Sequence, residues 1–409
     1  MEKPRIRPVE VFPIEHQEQT LVCLRDPSGM APEPVMLGMG AYFLITLFDG
    51  SRNLADLQAA FTKRYGEVIP SAKIEELIAA LDNSYFLDSP KFAERVSQVR
   101  EEFDRNPERP AIHAGLCYES DPAMARDEIG RFLEPPAGPG TVAASASGKA
   151  LRGLIAPHID PRRGGPAYAH AYAELVCREP PELVVILGTS HYAMGPELFT
   201  ATRKNYATPL GTLETDRGFV ERLAARYTAG DLFADEMLHR SEHSIEFQAL
   251  FMAWALGARG YTVVPILVGS FHEMVAAAVA PASRRRVGDF LDALRAELAA
   301  DGRRALIVAG VDFAHVGKKF GDAFSVDDGV VEWVRRDDLA LIETIRRGDP
   351  DSFFAGISKD RDRRRICGMA PIYTQLELLR GRPGRLLKYD IALEPQTGSA
   401  VTFASLAIE

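Results

Sequence analysis

ELVVILGTSH, residues 182–191, is an unbroken apolar run closed by Gly-Thr-Ser-His. It has no polar alternation, which is the mark of a strand buried on both faces rather than one with a wet side. Five further stretches are short, β-branched strand candidates: LRGLIAPH (151–158), TVVPILVGS (262–270), RALIVAGVDFAH (304–315), RLLKYDIAL (385–393) and AVTFASLAIE (400–409). Helix-length amphipathic segments lie between most of them, among them SIEFQALFMAWALGA (244–258), FLDALRAELAAD (290–301) and the run 330–347. Strands alternating with helices predict an α/β domain over 150–409, with a largely parallel central sheet flanked by helices. That length is enough to bury a sizeable core.

Working outward, residues 93–133 read as a charged helical stretch, clearest at KFAERVSQVREEFDRNPERP (91–110), followed by a Pro/Gly/Ala/Ser linker over 134–149. Residues 1–92 carry a compact apolar pattern with three helical segments, a turn at Asp49-Gly50, and Asn53 and Ser71 as helix caps. This is the pattern of a small helical, winged-helix-like domain. A winged helix can bind DNA, but residues 1–109 hold 13 Lys+Arg against 18 Asp+Glu, and the whole chain carries a net charge of −9. Such a surface repels phosphate, which argues against a nucleic-acid partner and leaves docking or a purely structural appendage as the expected role. No apolar run approaches the ~20 residues of a membrane span, and the N-terminus lacks the apolar core of a signal peptide. Four scattered cysteines make no disulfide framework in a chain of 409 residues. Reduced thiols in the cytoplasm are the expectation.

Polar residues cluster just beyond the C-terminal ends of the strand candidates, where open α/β sheets bind ligands. His158 follows the first strand and His191 the second; Asp312 and His315 follow RALIVAG. Two imidazoles with a third, anionic ligand form a common metal environment; a carboxylate there suits Fe(II), a thiolate Zn or Cu. Cys367, in RRRICGMAPIYTQLELL, is the thiolate candidate, and a position at a helix start beside arginines argues for a depressed thiol pKa. The plainer reading is a buried, inert cysteine. In HRSEHSIEFQ (239–248), Glu242, His243 and Glu246 open a helix, and His243 and Glu246 share a face. Serine and acidic residues there are also ordinary capping chemistry. Ser190 beside His191 lacks the G-x-S-x-G elbow of a hydrolase, and GTSHYAMG is no phosphate loop. His113, His170, His239 and His272 show no partner pattern and read as surface or core residues.

IAPHIDPRRGGPAYAHAY, VVILGTSHY, TPLGTLETD, SEHSIEFQ, VVPILVG, VDFAHVGKKF and ICGMAPI occur in this order over 150–409. Together they resemble the Memo family, whose bacterial branch is often called AmmeMemoRadiSam system protein B. Its fold is similar to that of class III extradiol ring-cleaving dioxygenases, the LigB-like enzymes. The resemblance implies His158, His191 and Cys367 as metal ligands, Fe(II) first and Cu or Zn as alternatives. It implies Asp312 and His315 as acid–base groups, with Asp312 orienting His315, and Glu242 and His243 as pocket residues that share in catalysis. It further implies a non-haem iron oxygenase or redox enzyme in a modification pathway with radical-SAM partners, or else a non-catalytic copper, iron or peptide adaptor. Residues 1–92 resemble the small peptide-binding domains similar to the D protein of pyrroloquinoline-quinone synthesis, which implies a peptide substrate. Two departures stand out. Extradiol enzymes carry Glu where Cys367 stands, and Memo chains show two adjacent histidines where this one has His191-Tyr192.

Overall fold

A computed structural model describes residues 2–16, 19–26, 28–140, 150–176, 178–193, 195–257 and 259–409. The chain forms two compact units, Met1–Asn106 and Pro107–Glu409. The charged stretch 93–133 is thus divided, with 107–133 in the second unit. Most of the Pro/Gly/Ala/Ser linker read from the sequence, 141–149, lies outside the described residues.

In the first unit, strands β1 (Glu10–His16), β2 (Gln19–Arg25) and β3 (Val35–Leu37) form an antiparallel meander. Helices Met39–Ile45, Leu54–Tyr65, Ser71–Asn83 and Pro90–Arg105 follow. Leu24, Leu44, Phe48, Leu57, Ile74, Leu81, Phe86 and Leu87 share one core. Asn53 caps its helix as expected, in a reciprocal capping box with Asp56 at 3.0 Å in both directions. Ser71 does not cap: Pro70 occupies the N-cap position, and Ser71 is already in the first helical turn. The strands before residue 38 escaped the sequence reading, because β1 carries a proline and charged residues in place of a clean alternation.

The second unit opens with β4 (Glu108–Arg109) and then builds one large sheet from β5 (Gly153–Ala156), β6 (Leu183–Thr189) and β7 (Phe199–Ala201). A small ladder of β8 (Asn205–Thr208) and β9 (Gly211–Leu213) pairs with β4. The large sheet continues with β10 (Thr262–Val268), β11 (Ala305–Gly310), β12 (His315–Gly317), β13 (Gly384–Glu394) and β14 (Ser399–Ile408). Strands β5, β11, β6 and β10 are parallel neighbours. Along them the side chains alternate between two cores: Val185 and Leu187 enter one, Val184 and Ile186 the other. With helices on both faces, neither set of side chains is wet, which explains the unbroken apolar runs.

The centre of the sheet is parallel, as expected, and its borders are mixed. β7 runs antiparallel to β10, and β14 runs antiparallel to β5, β12 and β13. Between Glu394 and Ser399 there is only a 3₁₀ turn and Gly398 at φ +59°. That connection is too short for the crossover a parallel pair needs, so β13 and β14 must form a hairpin. Among the described residues no helix is long and apolar enough to cross a membrane.

Candidate metal centre

The strand ends deliver the polar groups. His158 leaves β5 through Pro157, His191 lies two residues past β6, and Asp312 two past β11. Cys367 arrives from a loop ahead of the helix Met369–Leu378. Donor atoms of His158, His191 and Cys367 all lie within 4.8 Å of one another, and Cys367 Sγ is 3.2 Å from His158 Nε2. His191, Glu242 and His243 form a second such group sharing His191.

The imidazoles are set from behind. His158 Nδ1 faces the Gly310 carbonyl at 3.0 Å and His191 Nδ1 faces Glu242 Oε1 at 3.0 Å. Each Nδ1 therefore carries the proton, and each Nε2 lone pair is left for a metal, the orientation imposed on ligating histidines by outer partners. Glu242 also accepts from the His191 amide at 2.9 Å, caps the helix His243–Leu256 through Ser244 N–H at 3.0 Å, and lies 3.2 Å from His243 Nδ1. This helix start presses onto the strand ends because Gly188 and Gly310 have no side chains: a Cβ at Gly310 would meet the Ser244 carbonyl at 2.6 Å.

Burial holds His158 well below the usual imidazole range, with His191 and His243 adding to it; burial also brings His243 down to about 3. Burial pushes Glu242 up, but the neighbouring His191 and His243 overcome it and keep the carboxylate ionised. His191 runs the other way from its neighbours: burial lowers it, yet Glu242 raises it more.

Asp312 does not orient His315, contrary to what the resemblance implies. Its Oδ1 accepts the amides of His158 (2.9 Å) and Ile159 (3.2 Å), and Oδ2 lies 3.7 Å from His158 Nε2. Asp312 therefore props the His158 loop, and burial raises its carboxyl to about 7. The His315 ring turns instead to the Phe313 carbonyl at 3.1 Å and packs on Phe320; burial lowers it to about 4.

The expected depression of the Cys367 thiol is also overturned. Burial pushes it well up, and Asp312 adds to the effect. The flanking arginines are already neutralised, Arg364 by Asp338 and Arg365 by Asp322 at 2.9 Å. These ion pairs brace a loop in which Asp362 (φ +54°) and Arg365 (φ +51°) adopt left-handed backbone that side-chain-bearing residues avoid.

Beneath Glu242 lies a layer the sequence did not reveal. Arg109, wholly buried, pairs with Glu246 and donates to the carbonyls of His239 and Glu242, both at 2.9 Å. Glu246 also receives Tyr118 Oη–H at 2.5 Å and, from His113, the amide at 2.9 Å and Nδ1 at 2.8 Å. His239 is a core residue as read, held by Tyr206 and the Thr200 carbonyl. A cleft of about 320 Å³ adjoins the triad, lined by Ser190, His191 and Cys367 among others.

This arrangement sits in a chain with known relatives. A family model described as Memo-like protein matches residues 109–407. The chain belongs to the Memo family. It is 30% identical over 407 residues to a "MEMO1 family protein" of Aquifex aeolicus, covering 99% of each chain. It is 29% identical to another of Thermus thermophilus over 87% of this chain and 99% of that one. A "Protein memo-1 homolog" of Caenorhabditis elegans is 31% identical over 66% of this chain and 70% of its own. The Memo match begins at Arg109, so the buried Arg109–Glu246 layer lies within the family region.

Glu242→Gln is expected to leave the Memo fold intact while weakening metal affinity by about 10–100-fold, since the amide loses the negative charge and one of the two oxygens that accept from the His191 amide and ring. Competition titration with a chromogenic chelator measures this; unchanged affinity would remove Glu242 from the centre.

Proposed function

We propose that this chain is a non-haem metal enzyme, an oxygenase or redox catalyst holding Fe(II) on His158, His191 and Cys367. The observation that carries the reading is the convergence of three donors within 4.8 Å of one another, two of which, His191 and Cys367, line a cleft of about 320 Å³. When bound, the metal supplies a Lewis-acidic, redox-active centre for oxygen and a chelating substrate. The protein's own part is to fix the donors and to handle protons. Glu242 orients His191 and His243; Asp312 holds the His158 loop; neutral His315 and His243 serve as proton acceptors, and Asp312, near neutrality, as a donor.

The bacterial branch's association with radical-SAM proteins supports a place in a modification pathway. The acidic first unit supports peptide docking there, with radical-SAM proteins as partners. Cys23, Cys117 and Cys367 are free thiols, which suits a reducing cytoplasm. The thiolate favours a second reading, a non-catalytic copper- or iron-binding or peptide-binding adaptor, with zinc a further occupant.

The test is metal analysis of protein purified without oxygen, followed by oxygen-uptake assays with Fe(II) and phenolic substrates. About one iron per chain and uptake that His158→Ala abolishes are the expected results. Stoichiometric copper without uptake would favour the adaptor, and no bound metal would sink the metal-centred reading.

A further inference from the structure

The Ser190 hydroxyl beside the triad found no role as a nucleophile, yet it and its neighbour are out of place structurally. Thr189 is 7% exposed, and among the described residues neither its Oγ1 nor Ser190 Oγ, both buried, has a hydrogen-bond partner. Both residues line the cleft that His191 and Cys367 also line. Burying an unpaired hydroxyl is unfavourable, and valine would fill the same space at position 189 without that penalty. The rest of β6 is apolar or glycine, and Thr189 pairs in register with Val268. Polarity thus appears in this strand only where it borders the cleft.

We propose that the cleft takes a ligand with an apolar body and a carbonyl-type oxygen, amide or carboxylate, which accepts hydrogen bonds from the Thr189 and Ser190 hydroxyls. This deepens the enzymatic reading by naming the substrate class of its pocket. Val268, Phe271, Val275 and Met369 give the cleft an apolar wall for the body of the ligand. The volume suits a single ring with a short polar arm. A metal on the triad would place positive charge beside the cleft, which disfavours an ammonium group there. Asp362, the acidic member of the lining, has one oxygen occupied by the Ile366 amide at 2.9 Å.

The experiment is a ligand-observed NMR titration of the full chain, zinc-free and zinc-loaded, with phenylacetamide, phenylacetate and phenethylamine. Wild type is compared with Thr189→Val and Ser190→Ala. The amide or the carboxylate is expected to bind and the amine not. A preference for the amide identifies a peptide-type ligand; a preference for the carboxylate, a free acid. Thr189→Val is expected to weaken binding about tenfold, the effect of one lost hydrogen bond, while its melting temperature stays equal or rises. The inference is overturned if neither acyl probe binds wild type, if the amine binds as tightly, or if both variants keep wild-type affinity. A lower melting temperature in Thr189→Val would show that the hydroxyl already has a partner in the folded chain, and would overturn it too. Hydroxyl-dependent binding to zinc-free protein would uphold it even where the metal reading fails.

Discussion

Arg109→Ala is expected to destabilise the second unit by about 3–5 kcal/mol, the loss seen when one member of a buried ion pair is removed and the other stays charged. Arg109 and Glu246 are both fully buried, and the guanidinium also satisfies the carbonyls of His239, Glu242 and Pro110. Deleting it strands one carboxylate and three carbonyls. The loss should depend on pH in a defined direction. Burial pushes the Glu246 carboxyl up, but Arg109, His113 and Tyr118 outweigh that and bring it from 4.5 to about 2. A depressed carboxyl stabilises the fold fully above its unfolded value and loses that contribution as pH falls through its folded value. Wild type therefore draws on it above pH 4.5 and loses it toward pH 2. Without Arg109 the buried carboxyl takes up a proton more readily, so the penalty of the substitution is greatest at neutral pH and shrinks under acid. Urea unfolding at pH 7 and pH 4 measures both values. Adding Glu246→Gln to Arg109→Ala removes the stranded charge and should recover part of the loss. A penalty below about 1 kcal/mol, or one flat with pH, would show that the pair contributes little.

How much of this was legible in sequence depends on how far each signal travels along the chain. His158 and His191 were visible because strand patterns end next to them, and the fold rule for ligands at strand ends is local to each strand. Glu242 and His243 were visible as a helix start. Arg109 was not: it is separated from Glu246 by 137 residues, and a lone arginine in NPERPAIHAG carries no mark of burial. His113 was passed over as a surface or core residue for the same reason. Asp312 and His315 are close in sequence, and that proximity misled. The backbone turns Asp312 toward amides delivered by β5, whereas His315 begins β12. The Cys367 thiol shows the same limit, since arginines that neighbour it in sequence spend their charge on Asp338 and Asp322. Thr189 and Ser190 close a strand candidate in sequence; their missing partners are visible only in three dimensions.

Cys367→Ala tests the centre itself and should produce the largest effect on metal binding. A four-ligand structural zinc site contributes about 10–16 kcal/mol, so one ligand is worth about 3 kcal/mol, or a loss of at least about 100-fold in affinity. The loss should be steeper for copper and zinc than for Fe(II), because sulfur is the soft member of the donor set. His158 and His191 would remain, their Nδ1 atoms still held by the Gly310 carbonyl and Glu242, so residual weak binding is expected rather than none. The fold should survive. Among the described residues the Cys367 thiol makes two polar contacts, to His158 Nε2 and, at 3.7 Å, to the Asp312 carbonyl, and its removal leaves a small space at the edge of a cleft that is already open. Cobalt loading gives an independent readout, because a sulfur-to-cobalt charge-transfer band present in wild type must vanish in the variant. If affinity were unchanged and wild type itself showed no such band, the metal would have to sit instead in the group formed by His191, Glu242 and His243. Cys367 would then be a bystander, and the departure from the glutamate of extradiol enzymes would have no bearing on the metal.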